Sequence, residues 1–211
     1  AHEAARSGMP IIRPMVLAFP KDPAAAAHRY QYLFGPDLLV APMYQPGTHR
    51  AVYLPKRPDG GEWLDYWSGK EFAGGQTYEV EAPLDHRPPC VRPGAIIATL
   101  PEEIDTLIPP HAGMSKEVVP IDDRRVLQVW PGPDTSIATS GGISAGTTRA
   151  EGNVLLQLSS KSPRTLEVRR RADATAAPKN NEGWERDATD QWWCKPVVIG
   201  PDPVTVTWDS R

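Results

Sequence analysis

The sequence predicts a mainly β, loop-rich chain built of antiparallel sandwiches. Short strand-like runs recur along most of its 211 residues, cut by 24 prolines and 17 glycines. Turn signals about 10 residues apart are the spacing of sandwich folds. Leu166 and Val168 alternate with Glu167 and Arg169, while Val204, Val206 and Trp208 share one face. That is the period-two pattern of half-buried strands. Proline stands at about twice its usual ~5% share, yet the net charge is only −3, so the high-charge half of a disorder signature is missing.

Composition excludes several classes. Charges are mixed and nearly balanced, which gives no global attraction to nucleic acid or to an anionic membrane surface. No stretch approaches the ~18 apolar residues of a membrane helix. The two cysteines, Cys90 and Cys194, are too few for a disulfide framework or a metal knuckle. They read as two buried thiols, or as a single bridge. Length allows one large domain or two small ones.

Taken in order, Ala1–Arg6 reads as the tail of a helix, with Gly8 placed as its C-terminal cap. Ile11–Phe19 is a nearly continuous apolar run, the pattern of a strand covered on both faces. Pro14 is awkward there, because it cannot donate to a ladder. Helix tail, short turn and buried strand together resemble one unit of a β/α barrel. Ala24–Ala27 suggests a short helix with Pro23 in its first turn. Strands are expected near 38–41, 50–54, 62–67, 77–82 and 95–98. After a looser Pro/Gly stretch (101–113), a second series is expected near 126–130, 135–139, 154–158, 165–170, 196–199 and 204–208. Residues 172–190 read as a long polar loop.

The reactive-looking motifs weaken in context. His2-Glu3 begins the zinc-protease pattern H-E-x-x-H, but its fifth position is Arg6, so the second imidazole is missing. Gly142-Ile143-Ser144-Ala145-Gly146 matches G-x-S-x-G, yet a nucleophile elbow needs a helix behind it. Here another strand follows, and a hairpin turn is the better reading, leaving a Ser144 hydrolase as a minor alternative. Gly69-Lys70 is followed by Glu71, which rules out a phosphate-cradling loop. Arg169-Arg170-Arg171 on a strand would point to alternating faces, as a solvated edge. Asp122-Asp123 suits a turn. Trp63, Tyr66, Trp67, Trp192 and Trp193 could stack on sugar rings or pack between sheets, and packing is favoured.

Several blocks in one order then carry a resemblance. They are Gly8–Met15, Phe19–Pro23, Gln31–Pro42, Val52–Pro55, Glu62–Gly69, Pro83-Leu84 and Val91–Ile97. Together they resemble glycoside hydrolase family 31, the α-glucosidase and α-xylosidase family, over roughly residues 1–100. Beyond 101 the likeness is only to a β-rich distal domain, with Val129–Gly132 as a weak anchor. The resemblance implies two β-sandwich domains, proximal and distal, preceded by the last strand of a (β/α)8 barrel. Residues 1–34 would be the end of that barrel, 35–106 the proximal sandwich and 107–211 the distal one.

The resemblance also implies a chemistry, retaining hydrolysis of α-linked glycosides by two carboxylates ~5–5.5 Å apart. In the family both are aspartates on earlier barrel strands. No acid here matches either motif, so no catalytic residue is assigned, and both aspartates are expected upstream of Ala1. Asp22 and Asp37 lie in family blocks but not in catalytic ones. The stretch Leu17–Asp22 would face the active-site end of the barrel. No cofactor and no metal are expected. The partner is an oligosaccharide or α-glycoside substrate held by the parent barrel, with no nucleic acid and no membrane. Sugar, linkage, compartment and oligomeric state stay open. A stand-alone carbohydrate-binding or structural β-sandwich protein is the alternative.

Overall fold

The computed structural model describes residues 2–57, 61–82, 89–101, 124–130, 132, 135–140, 143–150, 153–160, 163–171, 183–188 and 192–209. The chain divides into two compact units, Ala1–Pro93 and Gly94–Arg211.

The first unit opens with α1 (His2–Ser7). Gly8 ends it at φ +73°, and its N–H reaches back to Ala4 O at 3.0 Å. This left-handed cap is the one the sequence led us to expect. The expected strand over 11–19 is broken in two. Only β1 (Ile12–Pro14) is extended, and α2 (Met15–Ala18) follows as a single helical turn. Nor is the run covered on both faces. Ile12 is 56% and Val16 55% exposed, while Met15 alone is buried. Pro14 has no N–H for a second ladder partner. It can therefore occupy an edge, and β1 is the edge strand of its sheet. α3 (Pro23–Ala27) starts as expected with Pro23 at its first position; Asp22 is its N-cap, its side chain accepting from Ala25 N.

Then come β2 (Tyr32–Phe34), β3 (Leu38–Val40), β4 (His49–Leu54), β5 (Trp63–Asp65), β6 (Glu71–Phe72), β7 (Gln76–Glu81) and β8 (Pro89–Val91). Six of these strands form one antiparallel sheet in the order β1-β2-β3-β8-β5-β6, and β4 pairs with β7 in a separate ribbon. Leu33, Leu39, Trp63 and Cys90 of the sheet meet Val52, Tyr53 and Leu54 of the ribbon in one core. A small sandwich results. At Gly74 a Cβ would lie 2.6 Å from Pro55 O.

The second unit contains β9 (Ile96–Thr99), β10 (Arg124–Val129), β11 (Thr135–Ser140), β12 (Ile143–Ala150), β13 (Asn153–Ser160), β14 (Arg164–Arg171), β15 (Glu185–Arg186), β16 (Trp192–Ile199) and β17 (Val204–Asp209). A five-stranded sheet runs β15-β16-β14-β10-β9, and a four-stranded one runs β11-β12-β13-β17. β10 and β14 are parallel, unlike every other pair described. The chain between them passes through the opposite sheet, which is the crossover a parallel pair requires. Leu127, Val129, Leu166 and Val168 from one sheet pack against Ile143, Leu156, Leu158, Val206 and Trp208 from the other. Burial alternates along β12 to β14 with period two, as the sequence pattern requires.

Three expectations change here. Ser144 lies within β12, opposite Thr139 and Ser159, so the G-x-S-x-G stretch from Ile143 onward is strand rather than turn. The hairpin itself is present, with Ser140 paired to Ile143. Arg169–Arg171 is not an edge, because β14 is the middle strand of five and Arg170 is only 6% exposed. Part of the expected loop 172–190 is ordered into the core. Trp184 is buried edge-on to Trp208 (ring centroids 5.9 Å apart) and β15 pairs with β16. Pro83-Leu84, Asp122-Asp123 and residues 172–182 lie outside the described residues.

Candidate functional site

The stretch Leu17–Asp22 leaves α2 and turns into α3, and Asp22 fixes that turn with both carboxylate oxygens. Oδ1 accepts from Ala25 N at 3.1 Å, capping α3. Oδ2 accepts from the Tyr53 hydroxyl at 2.8 Å. Tyr53 belongs to β4, so the bond ties the turn to the ribbon. Gln31, almost fully buried, clamps the same tyrosine by its backbone. Tyr53 N donates to Gln31 Oε1 at 3.0 Å, and Gln31 Nε2 donates to Tyr53 O at 2.8 Å. The side-chain amide thus takes the place of a neighbouring strand, satisfying two backbone groups that burial would otherwise leave unpaired.

Rings and charges complete the cluster. The His28 ring stacks on Tyr53, with centroids 5.0 Å apart and planes within 3°. Arg50, also on β4, donates from Nη2 to Tyr30 O at 2.8 Å, and its Cζ lies 4.9 Å from the centre of the Tyr44 ring. Burial, then the hydrogen bond and charge of Asp22, push the Tyr53 hydroxyl up to about 12. At neutral pH it is a donor and nothing more. Burial and, second, the Arg50 charge lower the His28 imidazole, with Asp22 opposing them. The arrangement fastens a segment in place and offers no activated nucleophile.

A cleft of about 400 Å³ lies beside this turn. Leu17, Phe19, Leu33 and Trp63 line it, together with Arg13, Arg57 and Arg92. Each guanidinium is held from within the unit. Arg13 Nε donates to Pro10 O at 3.0 Å and Arg57 Nη1 to Glu62 O at 2.9 Å. Arg92 Nε pairs with Asp37 Oδ1 at 2.7 Å. No Asp or Glu lines the cleft among the described residues.

The other singled-out residues are scattered. Trp63 is core, its Nε1 donating to Pro55 O at 2.9 Å. Trp192 and Trp193 are core as well, Trp192 edge-on to Trp130 at 5.2 Å. Trp67 is exposed and meets Tyr66 edge-on at 5.0 Å. Cys90 and Cys194 are both free thiols, the first buried and the second half-buried. His2 lies in α1, and no group of three metal-ligating side chains occurs among the described residues. Sequence reasoning missed the Asp22–Tyr53–Gln31 clamp, whose partners are 31 and 22 residues apart. The one available signal was a glutamine heading an otherwise apolar block.

The first unit is thus a small β sandwich with a strand-and-turn segment fastened to it by side-chain hydrogen bonds. Residues 8–97 match the family model described as "Glycosyl hydrolase family 31 C-terminal domain". A sulfoquinovosidase of Agrobacterium fabrum is 46% identical over 83 residues, covering 39% of this chain and 12% of that protein. An α-xylosidase of Saccharolobus solfataricus is 34% identical over 99 residues, covering 46% and 13%. Similarity of fold extends to both units. A cycloalternan-forming enzyme of Listeria monocytogenes superposes with a TM-score of 0.72 at 25% identity, over 99% of this chain and 21% of that one. A family 31 dextranase of Flavobacterium johnsoniae gives 0.74 at 20% identity, over 99% and 30%. The chain therefore spans about an eighth of these curated relatives and less than a third of these solved structures.

Proposed function

We propose that this chain supports the catalytic barrel of a retaining α-glycoside hydrolase of the α-glucosidase or α-xylosidase type. The family match over residues 8–97 carries the reading. In it, residues 1–34 are the end of the barrel, the rest of the first unit is the proximal sandwich, and the second unit, from Gly94 on and including β9, is the distal one. Nucleophile and acid are aspartates outside these 211 residues, and the substrate is an α-linked glycoside bound by the barrel. The chain's own contribution is positional. Gln31, Tyr53 and Asp22 hold the turn after Leu17–Phe19 at a fixed place against the ribbon. A turn held this way can present its neighbours to a barrel mouth without loop entropy opposing each encounter.

Hydrolysis assays test the reading. The purified 211-residue chain is expected to release no nitrophenol from aryl α-glucosides or α-xylosides above buffer, because it carries no matching carboxylate pair. Clear turnover by the chain alone would overturn the supporting role.

A further inference from the structure

An edge strand leaves a row of backbone N–H and C=O groups open, and folded chains blunt such edges with proline, charge, bulges or brevity. Most edges here are blunted in one of these ways. β1 carries Pro14. β6 and β15 are two residues long and β9 is four. β11 shifts register between Thr135 and Ala138. The β4–β7 ribbon carries Glu79 and Glu81, both exposed, on β7. β17 is different. Its six residues, Val204–Asp209, hold no proline, lysine or arginine. They pair with β13 without a register shift, from Val204 opposite Leu158 to Asp209 opposite Asn153. Among the described residues no strand pairs with the other side of β17. Its faces are as uniform as its edge. Val206 and Trp208 are buried in the core, whereas Thr205 and Thr207 are exposed. Beside the threonines on the solvent face lie Gln157 and Leu155, and beyond those Gly146 and Thr148. None of these side chains is charged.

We infer that β17 is a self-association edge, pairing antiparallel with β17 of a second copy of this chain about a two-fold axis. The edge suits its own copy. Two uncharged edges approach without like-charge repulsion, and threonine hydroxyls both donate and accept, so a threonine row is complementary to itself. The register follows from the faces. Residues directly opposite in an antiparallel pair share a face, and a one-residue slip would set Val206 against threonine and turn the two cores to opposite sides. The register that matches faces over Val204–Trp208 places Val206 opposite the partner's Val206 and Thr205 opposite the partner's Thr207. The two four-stranded sheets then run on as one. A two-fold contact closes after two copies, so it gives a dimer rather than a fibre. One strand pair buries less than the ~1,200–2,000 Å² of a stable interface, which makes the dimer weak. The inference rests on β17 itself and not on the proposed function.

Sedimentation equilibrium of the 211-residue chain tests it. A monomer–dimer equilibrium is expected, with a dissociation constant on the order of 10–500 µM. Combining Thr205→Lys with Thr207→Lys sets like charges opposite each other across the axis and is expected to raise that constant at least about 10-fold. Combining Thr205→Lys with Thr207→Glu sets opposite charges across the same axis. It is expected to return the constant to within about 3-fold of the parent, or below it. Both positions are exposed, so thermal melting of each variant is expected to match the parent. A loss of dimer caused by damage to the fold would not be reversed by the lysine–glutamate pair. A chain that stays monomeric up to about 1 mM, a dimer indifferent to the two lysines, or a lysine–glutamate variant no tighter than the two-lysine one would each overturn the pairing. None of these results bears on hydrolysis, so the supporting role stands or falls separately.

Discussion

Tyr53 shows how much one side chain can join. Its hydroxyl holds Asp22, its ring carries His28 and its backbone is held by Gln31. Deleting only the hydroxyl, in Tyr53→Phe, should cost about 1.5–3 kcal/mol, the range for a bond to a charged acceptor. Denaturant midpoints at pH 8 measure this. The phenol also sets an alkaline limit. Its folded value, about 12, lies above its ordinary 10.0, so the fold favours the protonated form. That stability is complete below pH 10 and is lost as pH rises toward 12. The wild-type chain should weaken across this window more than Tyr53→Phe, as midpoints at pH 9 and 11 would show. His28 has the opposite sense. Its lowered value gives stability that is complete above its ordinary 6.5 and is lost on acidification. Cysteine behaviour is equally local. Burial pushes Cys90 up to about 12 and Cys194 up to about 11, so both stay protonated and unreactive at pH 8. A thiol reagent should label the folded chain slowly and find two free thiols in denaturant without reductant. A count of zero there would mean a disulfide.

At the scale of elements, the two departures from the sequence pattern share a cause. Ile11–Phe19 has the composition of a strand buried on both faces, but a strand needs partners to become one. Among the described residues β1 pairs with β2 alone, and the chain coils into α2 directly after Pro14. Arg169–Arg171 fails in the opposite direction. Charge suggested an edge, and pairing on both sides with β10 and β16 made β14 central. Arg169 is met by Glu167 of its own strand, two residues back on the same face. The link between β6 and β7 depends on a missing side chain. Any Cβ at Gly74 would strike Pro55 O, a backbone atom that cannot swing aside. Gly74→Ala should therefore cost about 1–3 kcal/mol, as overpacking does. Thermal unfolding, with a neighbouring exposed Thr77→Ala as control, measures that loss.

For the molecule as a whole, the sequence by itself determined the class of fold and the likeness of residues 8–97 to a family 31 C-terminal domain. Period-two burial, turn residues at regular intervals and a run of ordered blocks are local properties. They survive in the structure as β3, β4, β7, β9 and β10 and as the alternating faces of β13, β14 and β17. The cap at Gly8 was legible for the same reason, since it depends on residues within one turn. Only the tertiary structure decided which residues meet across 20 or 30 positions. It placed Gln31 and Asp22 on Tyr53, buried Trp63 and Trp193 as core and left β17 at a sheet edge. Spacing along a chain fixes which face a side chain takes. Packing of sheet on sheet fixes what lies opposite that face, and so which polar groups are satisfied and which rings remain in water.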